Sequence, residues 1–433
     1  MTIARLVRWT LFGTSVNAVS QFGKLAFMAR ELPPEELGVY AIVVAAAAFI
    51  YLFQDFGLSS FYVHKKFVPE RLHVCLFKLS FVFGLISCFA LIALAFFLGY
   101  LYGSEVVFWS LALLSVNYLI LGLMSQHQAI LIKERSLRLL AICEVVASIV
   151  SFSLFAFLLS QRAGVYAYVI SVVVYSLTKL LIVYSNVDWR PKLRTKTTHP
   201  WRLRSAINYG AYQLSGQLVN HLRSRLDVFI LGKLVGLELM GLYGLAKETV
   251  TRPQGLLQPV VSRVTLPLFA QKLHAGESIG EFYCLALRKI SFAHFFIFSA
   301  LIVLSDALVA VVYAKDSDLV GELIRLLCIF GYLRSLGMPI GAITQATGKT
   351  KLDLKWNLIA LVFGSLPLLS AGWLDISTTA LFIVVMQFAL TNLSYFVIIK
   401  PCLENVSYMS FLKTWVFPFF WILVIYGAYV YGL

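Results

Sequence analysis

Six ionisable side chains lie in two neighbouring apolar segments near the middle of the 433-residue chain. Arg223, Arg225 and Asp227 fall in the first, and Lys247, Glu248 and Arg252 in the second. A charge at the centre of a bilayer costs about 2.5–3.5 kcal/mol on insertion scales, so such side chains belong against a protein interior or a water-filled cavity. Arg223 and Asp227 are four apart, as are Glu248 and Arg252. That spacing puts each pair on one helix face and predicts two intrahelical ion pairs. Arg225 and Lys247 are then left without partners. Surplus cations in a cavity suit an anion, and a planar guanidinium matches phosphate oxygens two at a time. The chemistry predicted here is anion binding, with Arg223, Arg225 and Arg252 as donors.

Other polar residues qualify for the same cavity. Asn17, Gln21 and Lys24 recur at i, i+4 and i+7, one face of a first helix. That face either looks inward, with Lys24 adding positive charge, or Asn17 and Gln21 bond to a neighbouring helix while Lys24 snorkels outward. Arg334 falls near the middle of its segment and is the further cavity candidate, while Arg325 reaches the outer interface. Asp55 precedes FGLSS, where it caps a helix, meets Lys65 or Lys66, or loads a cation. Asp55, Asp227 and Glu248 are the acids on which coupling to H+ or Na+ can rest. Glu144 is expected to be interfacial and paired near Arg138, Lys179 to snorkel, and Asp306 to be interfacial. Pro253, Pro259 and Pro267 predict a bend or break in the second charged helix and its continuation.

No catalytic pattern accompanies these charges. The seven histidines are dispersed, and His221, the one near the charged segments, is expected to make a structural hydrogen bond. The six cysteines (75, 88, 143, 284, 328 and 402) have no metal-ligand spacing. GxxxxGK[ST] and HExxH are absent from the sequence. Neither an enzyme nor a resident cofactor or metal is expected.

The elements that must carry these residues are membrane helices. Sixty per cent of the residues are hydrophobic and 13% are charged, which no soluble domain of this length needs. Apolar runs of about 20 residues recur, and their period is not two, so an all-α polytopic membrane protein is predicted and a β-barrel is not. Spans are expected at 7–29, 37–61, 76–101, 106–132, 139–160, 164–185, 206–231, 239–262, 288–313, 321–346, 354–373, 376–399 and 410–431. The thirteen form an N-terminal six-helix lobe (1–185), a basic cytoplasmic linker (186–205), a C-terminal six-helix lobe (206–400) and a loop with an extra terminal helix (401–433). The first apolar segment, lacking a small-residue cleavage site, is read as a retained helix. With the N-terminus inside, 24 lysines and arginines fall on inner segments and 4 on outer ones, alternating loop by loop. The formal net charge of +15 is thereby explained without nucleic acid as a partner. Glu36-Leu37-Gly38-Val39-Tyr40-Ala41 and Glu238-Leu239-Met240-Gly241-Leu242-Tyr243 each open the second helix of their half. That repeat predicts two equally oriented halves related by a pseudo-two-fold along the membrane normal, with substrate between them.

The stretch ARELPPEELGVYAIVVAAAAFIYLFQDFGLSSFYV (29–63) resembles the first-to-second helix region of bacterial polysaccharide flippases. These form the polysaccharide-transporter (Wzx-type) branch of the multidrug/oligosaccharidyl-lipid/polysaccharide (MOP) superfamily. RLDVFILGKLVGLELMGLYGLAKETVTRPQGLLQPVVSRVTLPLFA (225–270) resembles the start of their second half, and ATGKT (346–350) also fits. The resemblance covers most of the chain in layout and about a fifth of it in distinctive motifs. It implies an inner-membrane transporter with two six-helix lobes around a central cavity. Such a protein moves undecaprenyl-diphosphate-linked oligosaccharide from the cytoplasmic to the periplasmic leaflet by alternating access, driven by an ion gradient. Polymerase and chain-length proteins of the same pathway are the implied partners. The cationic role is carried to Arg223, Arg225, Arg252, Lys24 and Arg334. The predicted thirteen spans depart from the family's 12 or 14, which puts 410–431 in question as a full span.

Two other classes remain open. A drug or small-solute exporter of the same superfamily would favour cavity acids, and the surplus of arginine here argues against it. An integral membrane polymerase or acyltransferase would need a large outer loop or an intramembrane histidine with partners, and the chain has neither.

Overall fold

The protein is described from a computed structural model. It describes residues 3–64, 68–134, 136–187, 218–275, 277–312, 317–403 and 405–431, and these are helical throughout, with no strand among them. They divide into two compact units, Met1–His221 and Leu222–Leu433. All but the first two residues of the linker expected at 186–205 lie outside the described residues.

The first unit comprises α1 (Ile3–Glu31), α2 (Pro34–Gln54), α3 (Leu58–His64), α4 (Glu70–Tyr102), α5 (Glu105–Lys133), α6 (Leu137–Ser160) and α7 (Val165–Asn186). Pro34 starts α2 with its φ already set, and Glu35 and Glu36 follow in the first turn, where the helix dipole favours anions. Glu36 also crosses to α7, where its carboxylate accepts from Val165 N at 2.9 Å. The span expected at 37–61 is divided: α2 ends at Gln54, and the chain turns through Phe56 (φ 48°) and Gly57 (φ 70°) into α3. Phe56 is one of two non-glycine residues with positive φ among the described residues. In α4 and α5 the backbones touch: a Cβ at Gly84 would lie 2.7 Å from Tyr118 O and 3.0 Å from Gly122 Cα. Paired glycines allow that approach, the usual device where membrane helices pack closely.

The second unit begins in α8 (218–234), and Gly236 (φ 85°) turns the chain into α9 (Gly236–His274). There follow α10 (Ile279–Val303), α11 (Ser305–Val312), α12 (Ser317–Ser335), α13 (Ile340–Ala346) and α14 (Thr350–Ser365), the last running into a 3-10 turn, Leu366–Gly372. Next, α15 (Ile376–Ser394) continues through a π-turn to α16 (Lys400–Cys402), and α17 (Tyr408–Leu412) and α18 (Val416–Tyr431) complete the unit. The prolines of α9 do not break it: one helix runs for 39 residues through Pro253, Pro259 and Pro267. A membrane helix tolerates proline because neighbouring helices and Ser/Thr side chains re-satisfy the backbone. Thr249, Thr251 and Thr265 also bond back to the carbonyls of Leu245, Lys247 and Val261, which are not the carbonyls that the prolines leave open.

Nine helical stretches among the described residues are long and apolar enough to cross a membrane. They are Pro34–Gln54, Glu70–Tyr102, Glu105–Lys133, Arg138–Ser160, Val165–Asn186, Ile279–Val303, Asp318–Ala346, Lys351–Gly372 and Ile376–Cys402. The chain is therefore a multi-pass membrane protein. Val416–Val430 is apolar but shorter, and α1, α8 and α9 are helical without belonging to that set.

Candidate functional site

The charged residues of α8 and α9 come together, but not in the pairs that helical spacing predicts. Asp227 does not pair with Arg223. Its carboxylate accepts from Lys247 Nζ at 2.5 and 2.6 Å and from the Tyr243 hydroxyl at 2.8 Å. Lys247 also donates to the Ser224 carbonyl at 2.8 Å. Arg225 is not left over either: its Nη1 donates to Glu248 Oε1 at 2.9 Å. The expected Glu248–Arg252 pair is present at 3.7 Å, sharing the carboxylate with Arg225. The reason for the exchange is geometric. Two helices joined by a tight turn run back along each other, so residues about a dozen positions either side of Gly236 face one another. At 3.7 Å the intrahelical partner only supplements the charge-assisted bond made across the hairpin.

This exchange moves the surplus charge. Five cations (Arg223, Arg225, Lys247, Arg252 and Arg334) meet two carboxylates, and the two carboxylates are taken by Arg225, Lys247 and Arg252. Arg223 and Arg334 have no ion pair among the described residues. Arg334, reaching from α12, donates through Nη2 to Ser224 Oγ at 2.6 Å, and its guanidinium lies 5.7 Å from the Phe330 ring. Arg223 makes no hydrogen bond among the described residues, and Asp353 of α14 is the acid whose field reaches it. Both arginines are half-buried.

The same two arginines line an open cleft within the second unit. Ser365 of α14 and Gln387 of α15 add neutral hydrogen-bonding groups, and Leu361 and Ile383 supply apolar wall. An adjoining space shares Arg223, Arg334 and Gln387. Asp227 also lines this pocket, but its charge is taken by Lys247. The two arginines without ion pairs among the described residues, with an amide and hydroxyls, leave the lining with a surplus of positive charge suited to an anion bearing hydroxyls. Ser224, Tyr243 and Gln387 were missed in the sequence. The Glu238-to-Tyr243 repeat was the available signal for Tyr243, since it marked where the partner of Asp227 enters.

The polar residues of the first unit are arranged differently. Lys24 does not snorkel outward. It is 1% exposed, and its ammonium donates to Ser151 Oγ at 2.6 Å and Ser171 Oγ at 2.8 Å, with the Phe155 ring at 5.9 Å. Asn17 faces α6, accepting from Ser148 at 3.5 Å, and Gln21 is half-buried on the same helix. Asp55 accepts from the N–H and the hydroxyl of Ser59, 2.9 Å each, at the start of α3. Lys65 and Lys66 lie outside the described residues. Glu144 pairs with Lys179 of α7 at 3.7 Å rather than near Arg138, whose guanidinium sits over Trp9. Lys179 is accordingly buried and does not snorkel. Asp306, in the second unit, is 63% exposed in its side chain and meets Arg325 at 2.7 Å and the Tyr429 hydroxyl.

Comparison with known proteins agrees with this architecture. A sequence profile described as "Polysaccharide biosynthesis protein" matches residues 27–318. The amylovoran biosynthesis protein AmsL of Erwinia amylovora is 30% identical, covering 83% of this chain and 92% of that protein. The lipopolysaccharide biosynthesis protein WzxC of Escherichia coli (strain K12) is 23% identical, covering 95% of this chain and 84% of that one. Among solved structures, an inward-facing multidrug resistance MATE transporter of the MOP superfamily superposes with a TM-score of 0.71 at 14% identity, covering 97% of this chain and 98% of that one. The lipid II flippase MurJ gives 0.68 at 15% identity, with 98% and 99% covered. At these identities the two structures define the fold.

Proposed function

Because the chain belongs to the polysaccharide biosynthesis protein family, with the MOP transporter fold, we propose that it flips lipid-linked oligosaccharide repeat units across the membrane. The cargo is an undecaprenyl-diphosphate-linked oligosaccharide destined for a surface polysaccharide such as O-antigen, capsule or exopolysaccharide. It moves from the cytoplasmic to the periplasmic leaflet of the bacterial inner membrane by alternating access, with the N-terminus in the cytoplasm and an ion gradient as the driving force. The protein works beside the polymerase and chain-length proteins of the same pathway. It transports its cargo and does not transform it.

One observation carries the reading: Arg223 and Arg334 line one cavity and have no ion pair among the described residues. A diphosphate bears charge and hydrogen-bond acceptors that hydrocarbon cannot solvate. Two guanidinium forks replace the lost water with charge-assisted bonds worth about 1.5–3 kcal/mol each. Arg225, Lys247 and Arg252 act behind them, holding α8 against α9 and fixing where Arg223 emerges. Asp227 and Glu248 are spent in that framework. An exporter of cationic solutes would want the opposite balance of charge.

The test is flipping in proteoliposomes. Labelled undecaprenyl-diphosphate oligosaccharide is reconstituted with the full chain, and leaflet exposure is read with a membrane-impermeant probe. Wild type exposes substrate, and Arg223→Ala with Arg334→Ala slows exposure about 100-fold or more, as expected for two lost charge-assisted contacts, while elution profile and unfolding midpoint stay unchanged. A folded double variant that flips at the wild-type rate removes these arginines from the cargo path. A wild type that exports small cations and exposes no glycolipid removes the flippase.

A further inference from the structure

Asp55 differs from the other acids at membrane depth. Asp227, Glu248 and Glu144 each meet a lysine or arginine, at 2.5, 2.9 and 3.7 Å. Asp55 has no ion pair among the described residues, and its hydrogen bonds come from the Ser59 N–H and hydroxyl. A carboxylate removed from water without a counter-charge is expensive, and interiors normally supply one.

Its surroundings are rich in oxygen. The side chains of Ser80 and Ser125 lie against the carboxylate. Ser80 is fully buried and accepts from Gln126 Nε2 at 2.9 Å. Gln126 is 0% exposed, yet its Oε1 has no hydrogen-bond partner among the described residues. Buried polar atoms are almost always bonded, so an orphan amide oxygen on a side chain bonded to Ser80, which itself lies against a carboxylate without an ion pair, calls for a ligand. Carboxylate, hydroxyl and amide oxygens are hard donors, suited to hard cations. The backbone adds to the same field. Helix α2 ends at Gln54 with its negative dipole end toward Asp55, and the left-handed turn at Phe56 and Gly57 fixes the carboxylate in place.

We propose that Asp55, Ser80, Ser125 and Gln126 form a binding site for one sodium ion in the first unit. A single carboxylate balances one positive charge, so a divalent ion would leave net charge in an apolar wall. The site sits on α2, α4 and α5 and is distinct from the arginine-lined cavity of the second unit. It deepens the flipping reading by naming where a coupling ion binds, but its test needs no glycolipid, so the two stand or fall separately.

The purified full chain is unfolded by heat in NaCl, KCl and choline chloride at matched ionic strength, and 22Na+ binding is measured on the same preparation. The expected result is a saturable, sodium-specific rise in unfolding midpoint with close to one ion bound per chain. Asp55→Asn removes both signals. Gln126→Leu weakens apparent affinity about tenfold or more, the size typical of a lost supporting group at a metal site. Gln126→Leu keeps the Asp55–Ser59 contact that starts α3, so it reports on the ion even where Asp55→Asn fails to fold. A wild type without a sodium-specific shift overturns the proposal. So does an undiminished sodium response in either variant, or a midpoint that follows pH alone, which would make Asp55 a proton carrier, with Tyr51 its titratable neighbour.

Discussion

Lys24 in the first unit and Lys247 in the second are both buried at membrane depth, and they are stabilised by opposite means. Lys247 is held by the Asp227 carboxylate, a second acceptor at Ser224 O, and a Tyr243 hydroxyl on the same carboxylate. Lys24 is held by two serine hydroxyls, and those hydroxyls have acceptors of their own in the carbonyls of Ser171 and Tyr168. The first arrangement is an ion-paired frame whose members depend on one another. The second is a neutral cradle that stays satisfied when the charge leaves. The difference teaches that charge at membrane depth has two structural uses here. In the second unit it braces two helices and leaves arginines over for a ligand. In the first, Lys24 stands among hydroxyls, while Lys179 pairs with Glu144 at 3.7 Å.

Breaking the frame should have the largest effect. Lys247→Met strands the buried Asp227 carboxylate and is expected to destabilise the protein by about 3–5 kcal/mol, read as a lowered midpoint in detergent unfolding. The double variant Lys247→Met with Asp227→Leu should recover most of that loss, since removing both partners leaves no charge behind. A smaller loss tests packing in the first unit. Gly84→Ala places its methyl against Tyr118 O and the Gly122 backbone, neither of which can swing aside, and should cost about 1–3 kcal/mol. Lys24→Met, the counterpart of Lys247→Met, should shift the midpoint by less than about 1 kcal/mol, because both serine donors keep their carbonyls. Equal losses from Lys24→Met and Lys247→Met would erase the contrast between the units. The smallest effect belongs to Arg325→Ala, whose partner Asp306 is exposed, with an expected change of about 0–1 kcal/mol in the same unfolding assay.

Much of this was legible in the sequence because hydrophobic length and charge placement are local properties. The described parts of the predicted spans are helical, with nine stretches long and apolar enough to cross a membrane, and the high charge density of 223–252 marked the region that holds Arg223, though not Arg334. Which charge meets which was not legible from spacing within one helix. The i,i+4 rule is blind to a neighbouring helix, and a turn at Gly236 sets Arg225 opposite Glu248 and Lys247 beside Asp227. Reflection about that glycine lands within two positions of both partners. The prolines of α9 misled for a related reason. Proline's effect on a helix is local, but whether the helix survives depends on its tertiary neighbours. Lys24 was ambiguous because nothing in 17–24 reveals that Ser151 and Ser171, more than 120 positions away, will be waiting for its amine.

The unbroken run of α9 has a mechanical consequence. At 1.5 Å per residue, 39 residues make a rod about 58 Å long, while the hydrocarbon slab is about 30 Å thick and the whole bilayer about 45 Å. No upright fit exists, so α9 must tilt steeply or carry its far end out into the water. Lys247 and Glu248 grip it near one end. A small rotation imposed there is delivered at the other end over several tens of ångströms, as a crowbar delivers a short push as a long sweep.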